Sequence, residues 1–156
     1  MTLSEEFTEF TVDIWESKGL DALSSKLFAT LFLEPKELSI DELSKKTGYS
    51  LASVSNKMRF IENIGLASRI KKPGTKKVFY YVEKDLKKIM KKQFDTIFNK
   101  EIKPIKETMP KLIEKYENEI ISKEEKEKLG IIKNYYYQTL ELEKKLLDFK
   151  KRFDDK

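Results

Sequence analysis

Apolar residues recur at helical spacing along most of the chain, which predicts a mainly α-helical fold. The predicted helices span residues 4–18, 21–33, 39–46 and 51–64, a stretch from residue 84, and a last helix that ends near Phe153. In the stretch from residue 84, Pro104 and Pro110 should kink or interrupt the helix, because proline lacks the backbone N–H that an interior position needs.

Polar residues at the predicted ends support these boundaries. We expect Ser4 to cap the first helix and Gly19 to follow it as a stop. Two segments have the capping-box pattern, in which a serine is followed three residues later by a glutamate. They are Ser39 to Glu42 and Ser122 to Glu125.

A different pattern separates the fourth helix from the later ones. Two strand-like runs, residues 67–71 and 77–82, flank the turn signal Pro73-Gly74, which predicts a β-hairpin. The predicted fold class is therefore mainly α with a small β-hairpin wing. Residues 1–83 should form an N-terminal helix plus a winged helix-turn-helix domain, and residues 84–156 a helical dimerisation region.

The third and fourth helices carry the pattern typical of a helix-turn-helix, since a short turn containing Gly48 joins them. On the fourth helix, Val54, Met58 and Ile61 share an inward face. Small or polar residues that contain no acid occupy the opposite face and its flanks. The predicted DNA-contacting residues of this recognition helix are Ser50, Ala52, Ser53, Ser55, Asn56, Lys57 and Arg59.

The types of these residues suggest separate roles. Asn56 and Arg59 have side chains that can hydrogen-bond to the edges of adenine and guanine. The serines and Lys57 are better suited to phosphates. Small side chains such as Ala52 allow the helix to approach the bases closely.

Charge is strongly segregated along the sequence. Residues 1–42 carry a net charge of −7, residues 43–82 a net charge of +8 with Glu62 as the sole acid, and residues 83–156 a net charge of +4. A local basic block is typical of a phosphate-binding surface, although a solvated lysine-rich face would look the same on charge alone. The predicted contacts of the basic hairpin wing are Arg69, Lys71, Lys72, Thr75, Lys76 and Lys77.

Composition argues against an enzyme. The chain has no Cys and no His, which excludes thiol nucleophiles, histidine bases and Cys/His zinc sites. It also has no Gly-rich phosphate loop and no nucleophile elbow, so we predict no catalytic residue, metal or cofactor. The high content of charged residues, 38%, resembles that of hyperthermophile proteins.

The pattern of charges and apolar runs also bears on location. No apolar run approaches the roughly 18 residues of a membrane span. The first twenty residues carry five acids and one lysine, which is unlike the basic start of a signal peptide. We therefore expect a soluble cytoplasmic protein that is not associated with a membrane.

Residues 19–82 resemble the winged-helix domain of MarR-like transcriptional regulators, and more closely the GbsR-type branch. Five motifs carry the resemblance, together with Trp15 and Gly19-Leu20 before them. The motifs are Leu38-Ser39-Ile40-Asp41-Glu42-Leu43, Thr47-Gly48-Tyr49-Ser50, Ser53-Val54-Ser55, Ile61-Glu62-Asn63-Ile64-Gly65-Leu66 and Tyr80-Tyr81-Val82. The resemblance covers about the first 85 residues, and the helical tail matches only in general character.

The resemblance implies a transcriptional regulator, more commonly a repressor, that binds a near-palindromic operator in double-stranded DNA as a homodimer. The terminal helices would hold the dimer, because their long apolar seams would be exposed in a monomer. A tail folded back on its own domain is the alternative. The predicted interface residues are Phe7, Phe10, Ile14, Trp15, Tyr135, Leu142, Leu146 and Phe149.

Three further interpretations stay open. The run Tyr135-Tyr136-Tyr137, together with Trp15, invites an aromatic cage for a choline-type effector, which the GbsR resemblance also suggests. Consecutive tyrosines on a helix point in three directions, however, so dimer packing explains them better and any small-molecule effector remains unidentified. Alternatively, Phe60 and Ile64 suggest the apolar stripe of a protein-docking module of the transcription machinery. A non-specific nucleic-acid-binding module and an RNA-binding winged helix are further alternatives.

Overall fold

A computed structural model describes residues 1–154, and the last two residues of the predicted tail, 155–156, lie outside the described part. The chain divides into two compact units, residues 1–86 and the residues from Lys87 onward. The elements of the first unit are α1 (Leu3–Ser17), α2 (Ala22–Leu33), β1 (Leu38–Ser39), α3 (Ile40–Thr47), α4 (Leu51–Asn63), β2 (Ser68–Lys71) and β3 (Val78–Tyr81). The second unit contains α5 (Leu86–Ile97), which begins one residue before it, a π-helical segment (Phe98–Ile102), α6 (Lys103–Glu117) and α7 (Lys123–Asp154).

Side-chain caps define most helix starts in the first unit. The predicted cap of α1, Ser4, is wrong, because the helix begins earlier and Thr2 is its N-cap. The Thr2 hydroxyl accepts a hydrogen bond from the Glu5 N–H, and the Glu5 carboxylate accepts one from the Thr2 N–H at 2.7 Å. The capping box of Thr2 and Glu5 is favoured over a helix start at Ser4, because Ser4 has no glutamate or glutamine three residues after it.

The capping box predicted at Ser39 and Glu42 is confirmed, and Asp21 and Ser50 also cap helices. Asp21 accepts from the Ser24 N–H at 2.9 Å and caps α2, while Ser50 caps α4 through the Ser53 N–H. Ser39 and Glu42 form the complete capping box of α3, in which each side chain bonds to the backbone of the other residue. These caps satisfy N–H groups that have no partner within their own helix.

A single apolar core holds the first unit together. It draws residues from α2, α3, α4 and the strands, and the predicted inward face of α4 lies within it because Val54, Met58 and Ile61 are fully buried. The buried core consists of Leu27, Phe28, Leu31, Leu38, Leu43, Val54, Met58, Ile61, Ala67, Tyr80 and Val82. Burial of such side chains contributes about 1.5–3 kcal/mol each, which makes this core the main source of stability for α4's position.

The hairpin forms as predicted, but it belongs to a three-stranded antiparallel sheet with the order β1-β3-β2. Arg69 lies opposite Tyr80 in the β2–β3 pairing, and Leu38 lies opposite Tyr80 in the β1–β3 pairing. The sequence did not predict β1, since a strand of two residues leaves no alternating pattern. Three helices, a short turn between the last two, and a hairpin on a small sheet make a winged helix-turn-helix domain.

Hydrogen bonds from Lys84 link the end of the sheet to the end of α2. Its ammonium donates to the Val82 carbonyl at 2.7 Å and to the Leu31 carbonyl at 3.2 Å. It also lies 4.0 Å from the centre of the Tyr81 ring. A lysine is favoured at the C-terminal end of a helix, where carbonyl groups lack partners. Burial lowers the pKa of Lys84 below its ordinary value.

In the second unit, the two prolines have different effects. The helix widens into a π-helical segment immediately before α6, and Pro104 occupies the first turn of α6, where its missing N–H is tolerated. Pro110, in contrast, lies inside α6, which continues to Glu117. The predicted interruption is therefore found near Pro104, while Pro110 does not end the helix.

Helix α7 is the longest element, with 32 residues. The Ser122 hydroxyl accepts from the Glu125 N–H as predicted, while the Glu125 carboxylate pairs with Lys128 at 2.9 Å. Phe94, Phe149 and Phe153 form an edge-to-face aromatic cluster inside this unit. Within residues 1–154, no helix is both long and apolar enough to span a lipid bilayer.

Two glycines give a direct test of the backbone geometry. Gly48 ends α3 with a φ of 77°, and its N–H donates to the Ser44 carbonyl at 2.8 Å. Gly48→Ala should lower the free energy of unfolding by about 1 kcal/mol, because an L side chain is strained in the left-handed region. Urea denaturation followed by circular dichroism measures this change.

Gly130 supplies the matched control, because it lies inside α7 with no positive φ and no heavy atom within 4 Å of an added Cβ. Gly130→Ala should raise the free energy of unfolding by roughly 0.5–1 kcal/mol, since alanine favours the helix. Equal effects of the two substitutions would contradict the left-handed turn between α3 and α4.

Candidate nucleic-acid interface

Helix α4 presents one face to solvent because its other face is buried in the core. Ala52, Asn56 and Arg59 are exposed on it, as predicted. Neither Asn56 nor Arg59 makes a side-chain hydrogen bond or ion pair with any other residue between 1 and 154. The two side chains that the sequence assigns to base reading therefore have their polar groups available to a ligand.

The serines at the start of α4 are partly engaged. The Ser50 hydroxyl accepts from the Ser53 N–H and donates to the Ser53 hydroxyl at 2.9 Å. Ser55 is half-buried on the side of the helix. The first backbone N–H groups of α4 and its positive dipole end lie beside these serines, which suits an anionic group such as a phosphate.

Lys57 is partly exposed and forms an ion pair. Its ammonium lies 3.2 Å from the Asp21 carboxylate, at the N-terminal end of α2. Burial raises the pKa of Asp21, but the hydrogen bonds from the Ser24 N–H, the Ser24 hydroxyl and Lys57 outweigh it and hold the pKa below its ordinary value. The pair links the position of α4 to that of α2.

The wing exposes most of its predicted contacts. Arg69, Lys71 and Lys76 are exposed and make no ion pair within residues 1–154. The Thr75 hydroxyl accepts from the Lys77 N–H at 3.1 Å, so Thr75 shapes the tip of the hairpin. The tip also includes Pro73 and Gly74, and the latter has a φ of 81°.

The two remaining wing lysines have acidic partners. Lys72 forms an ion pair with Glu37 and lies 4.4 Å from the centre of the Phe79 ring. Lys77 lies 4.0 Å from Asp41. The hydrogen bond from Lys72 holds the pKa of Glu37 below its ordinary value. Neither acid belongs to the predicted site, because both precede the basic segment in the sequence and only the pairing of β1 with β3 brings them to the wing.

A buried tyrosine brings the recognition helix and the wing together. The Tyr80 hydroxyl lies 3.5 Å from the Glu62 carboxylate. Burial raises the pKa of Tyr80 and Glu62 raises it further, while the charges of Arg69 and Arg59 oppose this. Arg69 lies opposite Tyr80 in the β2–β3 pairing. Glu62, the sole acid of the basic block, is engaged there with Tyr80.

Other exposed side chains around α4 were not assigned to the site. Tyr49 and Leu51 flank Ser50 and are exposed, and Lys26 lies 5.3 Å from the centre of the Tyr49 ring. Phe60 and Ile64 are each 42% exposed one helical turn apart. The motif Thr47-Gly48-Tyr49-Ser50 could have drawn attention to Tyr49, since it occupies the turn itself.

The predicted interface residues of α1 fall into two groups. Phe7 stacks on Phe32 at 5.6 Å and Trp15 packs edge-on against Phe28 at 4.7 Å, so both rings attach α1 to α2. Phe10 is 63% exposed and Ile14 is also exposed. This second group leaves an apolar stripe of α1 without a partner in the first unit.

In the second unit, the predicted interface residues of α7 form an apolar seam along the helix, to which Ile131 also belongs. Tyr135 is 52% and Leu142 50% exposed, and Phe149 and Ile131 are exposed as well, while Leu146 is half-buried. Phe149 contacts Phe94 and Phe153 of the same unit. The seam is therefore not buried within this unit, although its helical spacing is as predicted.

No group of three or more acidic residues in residues 1–154 is arranged to hold a metal ion. A groove of about 500 Å³ lies in the first unit, and its lining mixes both charges, including the Lys46–Glu34 pair at 2.9 Å. Its residues are Ser4, Glu5, Thr8, Glu9, Lys26, Thr30, Leu33, Glu34 and Lys46.

Comparison with known proteins supports the fold. The chain is similar over 98% of its length, and 99% of the other chain's, to the crystal structure of a transcriptional regulator, with a TM-score of 0.71 and 14% sequence identity. The two chains share a fold. No family model and no curated protein sequence matches the chain.

Two more solved structures are similar at a lower level. One is MepR, a transcription regulator of the Staphylococcus aureus multidrug efflux pump MepA, with 17% identity, 88% and 93% coverage and a TM-score of 0.43. The other is PerR from Streptococcus pyogenes, with 16% identity, 49% and 56% coverage and a TM-score of 0.40. TM-scores this low add nothing to the fold assignment.

The pair between Asp21 and Lys57 has a testable pH dependence. Because the folded-state pKa of Asp21 is depressed, its contribution to stability is present above the unfolded-state pKa, about 4, and is lost as pH falls through the lower folded value. Asp21→Asn keeps a good helix cap but loses the charge. At pH 6 it should lower the free energy of unfolding by less than about 1 kcal/mol, as an exposed pair does.

Urea denaturation at pH 6 and near pH 3 measures the effect. The difference in the free energy of unfolding between the wild type and Asp21→Asn should narrow at the lower pH, because Asp21 of the unfolded wild type takes up a proton below about pH 4. A difference that stays constant or grows on acidification would show that the Asp21 charge does not stabilise the fold.

Proposed function

We propose that this protein is a sequence-specific DNA-binding transcriptional regulator of the GbsR type within the MarR-like group. It binds a near-palindromic operator as a homodimer and most simply represses transcription by occupying that site. The observation that carries this proposal is that Arg59 on the exposed face of α4, and Arg69, Lys71 and Lys76 on the wing, are exposed and form no ion pair within residues 1–154. Two elements that sequence patterns assign separately to DNA thus each present cations that have no acidic partner within residues 1–154.

The exposed face of α4 suits a major groove. Ala52 leaves room for close approach, and Asn56 and Arg59 have amide and guanidinium groups that match adenine and guanine edges. In a helix-turn-helix, the N-terminal part of the second helix contacts the bases. We infer that Asn56 and Arg59 read sequence, while Ser50, Ser53, Ser55 and the first N–H groups of α4 contact phosphates.

The wing suits the DNA backbone or an adjacent minor groove. Its exposed bases Arg69, Lys71 and Lys76 lie on the hairpin, whose tip is shaped by Pro73-Gly74 and Thr75. Cations on a narrow loop can follow phosphates or enter a minor groove. Lys72 and Lys77 lie on the same hairpin but are held by acids.

A second copy of the chain is the proposed partner. The stripe of Phe10 and Ile14 on α1 and the seam of Tyr135 and Leu142 on α7 expose large apolar side chains, which an isolated chain would leave in water. One winged helix contacts few base pairs, so a two-fold pair is the usual route to specificity. Residues 1–83 would bind DNA, and residues 84–156 would supply most of the dimer contacts.

The base-reading role is tested by removing the guanidinium of Arg59. Arg59→Ala should weaken binding to the preferred duplex by about 1–3 kcal/mol and have a much smaller effect on a scrambled duplex. Fluorescence anisotropy at two salt concentrations measures the affinity for both duplexes. The first candidate for the preferred duplex is DNA from upstream of the protein's own gene.

The matched control for Arg59 is Lys76→Ala on the wing. A phosphate contact should weaken binding to both duplexes alike and make the dependence of log K on log salt shallower by about 1. If Arg59→Ala behaved like Lys76→Ala, with equal losses on every sequence, Arg59 would not be a base reader.

The dimer is tested by a charge in the exposed seam of α7. Leu142→Lys should shift the chain from two copies to one in sedimentation equilibrium, because an unpaired ammonium would be buried in the interface. Glu141→Lys, on the adjacent exposed position of the same helix, should leave the mass unchanged. A wild-type chain that sediments as a monomer at micromolar concentration would exclude a homodimer held by this seam.

One observation favours a second candidate function. Phe60 and Ile64 expose an apolar pair at the C-terminal end of α4, which could dock a protein of the transcription machinery. Titration with DNA from upstream of the protein's own gene distinguishes the transcriptional regulator from the docking module. A preference of about 10³-fold or more over scrambled duplex favours the regulator, while weak binding to both duplexes favours a docking or general nucleic-acid-binding module.

A further inference from the structure

Three lysines of the expected DNA-contacting set lie in ion pairs with carboxylates from outside the basic segment. The pairs are Lys57 with Asp21, Lys72 with Glu37 and Lys77 with Asp41. All three acids belong to residues 1–42, the acidic part of the sequence. The expected phosphate-binding surface is thus partly neutralised by the chain itself.

The sheet explains how two of these acids reach the wing. Ser39 of β1 lies opposite Phe79 of β3, so the residues on either side of β1 run along the base of the hairpin. Asp41 therefore lies near Lys77, two residues before Phe79. Lys72 extends over the Phe79 ring to Glu37. The pairing of β1 with β3 brings both contacts about.

The remaining cations differ from these three lysines. Arg59, Arg69, Lys71 and Lys76 make no ion pair within residues 1–154, whereas Lys57, Lys72 and Lys77 would have to break or share one to contact a phosphate. The paired side chains stay partly exposed, with 42% of the Lys72 side chain and 61% of the Lys77 side chain accessible. Exposed ion pairs are weak, so they reduce phosphate binding without preventing it.

We propose that Glu37 and Asp41, with Asp21 as a third member, act as an intramolecular brake on phosphate binding by the wing and α4. This inference rests on the DNA-binding function proposed above and concerns its sequence-independent part. The carboxylates compete with DNA phosphates for the same ammonium groups. They lower the affinity for any duplex, which limits how long the protein stays on non-operator DNA.

Glu37→Gln in the full-length chain tests the brake, because it removes the charge and keeps the size of the side chain. The probe is a scrambled duplex, titrated by fluorescence anisotropy over a series of salt concentrations. Affinity should rise by about 2–5-fold, as expected when an exposed ion pair is released. The plot of log K against log salt should become steeper by about 1, for the one additional lysine that neutralises a phosphate.

A double-mutant cycle with Lys72→Gln shows whether Glu37 acts through its partner or only through net charge. If Glu37 restrains Lys72, then Glu37→Gln should have no effect when Lys72 is already Gln. An effect of the same size in both backgrounds would overturn the brake and leave only a general change in net charge. Asp41→Asn with Lys77→Gln repeats the cycle independently.

The control is Glu143→Gln, which removes the same charge from an ion pair with Lys106 at 2.9 Å in the second unit. It should leave both the affinity and the salt slope unchanged, and a gain equal to that of Glu37→Gln would overturn the proposal. If the wild type binds the scrambled duplex tightly and in a salt-dependent way, but Glu37→Gln does not raise the affinity, the brake is overturned and the proposed function is not. A wild type that binds no duplex at low salt would overturn the proposed function, and the brake with it.

Discussion

The burial of one face of α4 is the constraint on which the rest of the first unit depends. Val54, Met58 and Ile61 are fully buried among residues of α2, α3 and the sheet, so the helix has one orientation and one exposed face. Rotating it would expose three apolar side chains and bury Asn56 or Arg59 without a partner, and both changes are unfavourable. The caps at Asp21, Ser39 and Ser50 and the left-handed Gly48 then set where each helix begins and how α3 leads into α4.

Around that helix, a few polar contacts relate the sheet to the core. The Tyr80 hydroxyl meets Glu62 of α4, and Lys84 bonds to the carbonyls of Leu31 and Val82. The contacts of Tyr80 with Glu62 and of Lys84 with Leu31 join residues far apart in sequence. Together they hold the sheet in a fixed position relative to α4 and α2, as a recognition helix and a wing need if both are to contact one duplex.

The same sheet also limits the surface it helps to build. Pairing of β1 with β3 lays acidic residues along the base of the wing, so Lys72 and Lys77 form ion pairs while Arg69, Lys71 and Lys76 do not. A count of charges along the sequence treats all five as equal. In the folded chain their expected affinities for phosphate differ, because an ammonium already paired with a carboxylate gains less electrostatic free energy from a phosphate.

The sequence by itself determined the helices of the first unit, the turn at Gly48, the hairpin and the buried face of α4, because these follow from periodicity and capping within a few residues of each position. It misplaced the cap of α1 and missed β1, since a strand of two residues has no pattern of its own. Only the tertiary structure decided which wing lysines have partners, that Phe7 and Trp15 pack on α2, and that Glu62 meets Tyr80. These are contacts between distant residues, and local spacing carries no information about which side chains the fold brings together.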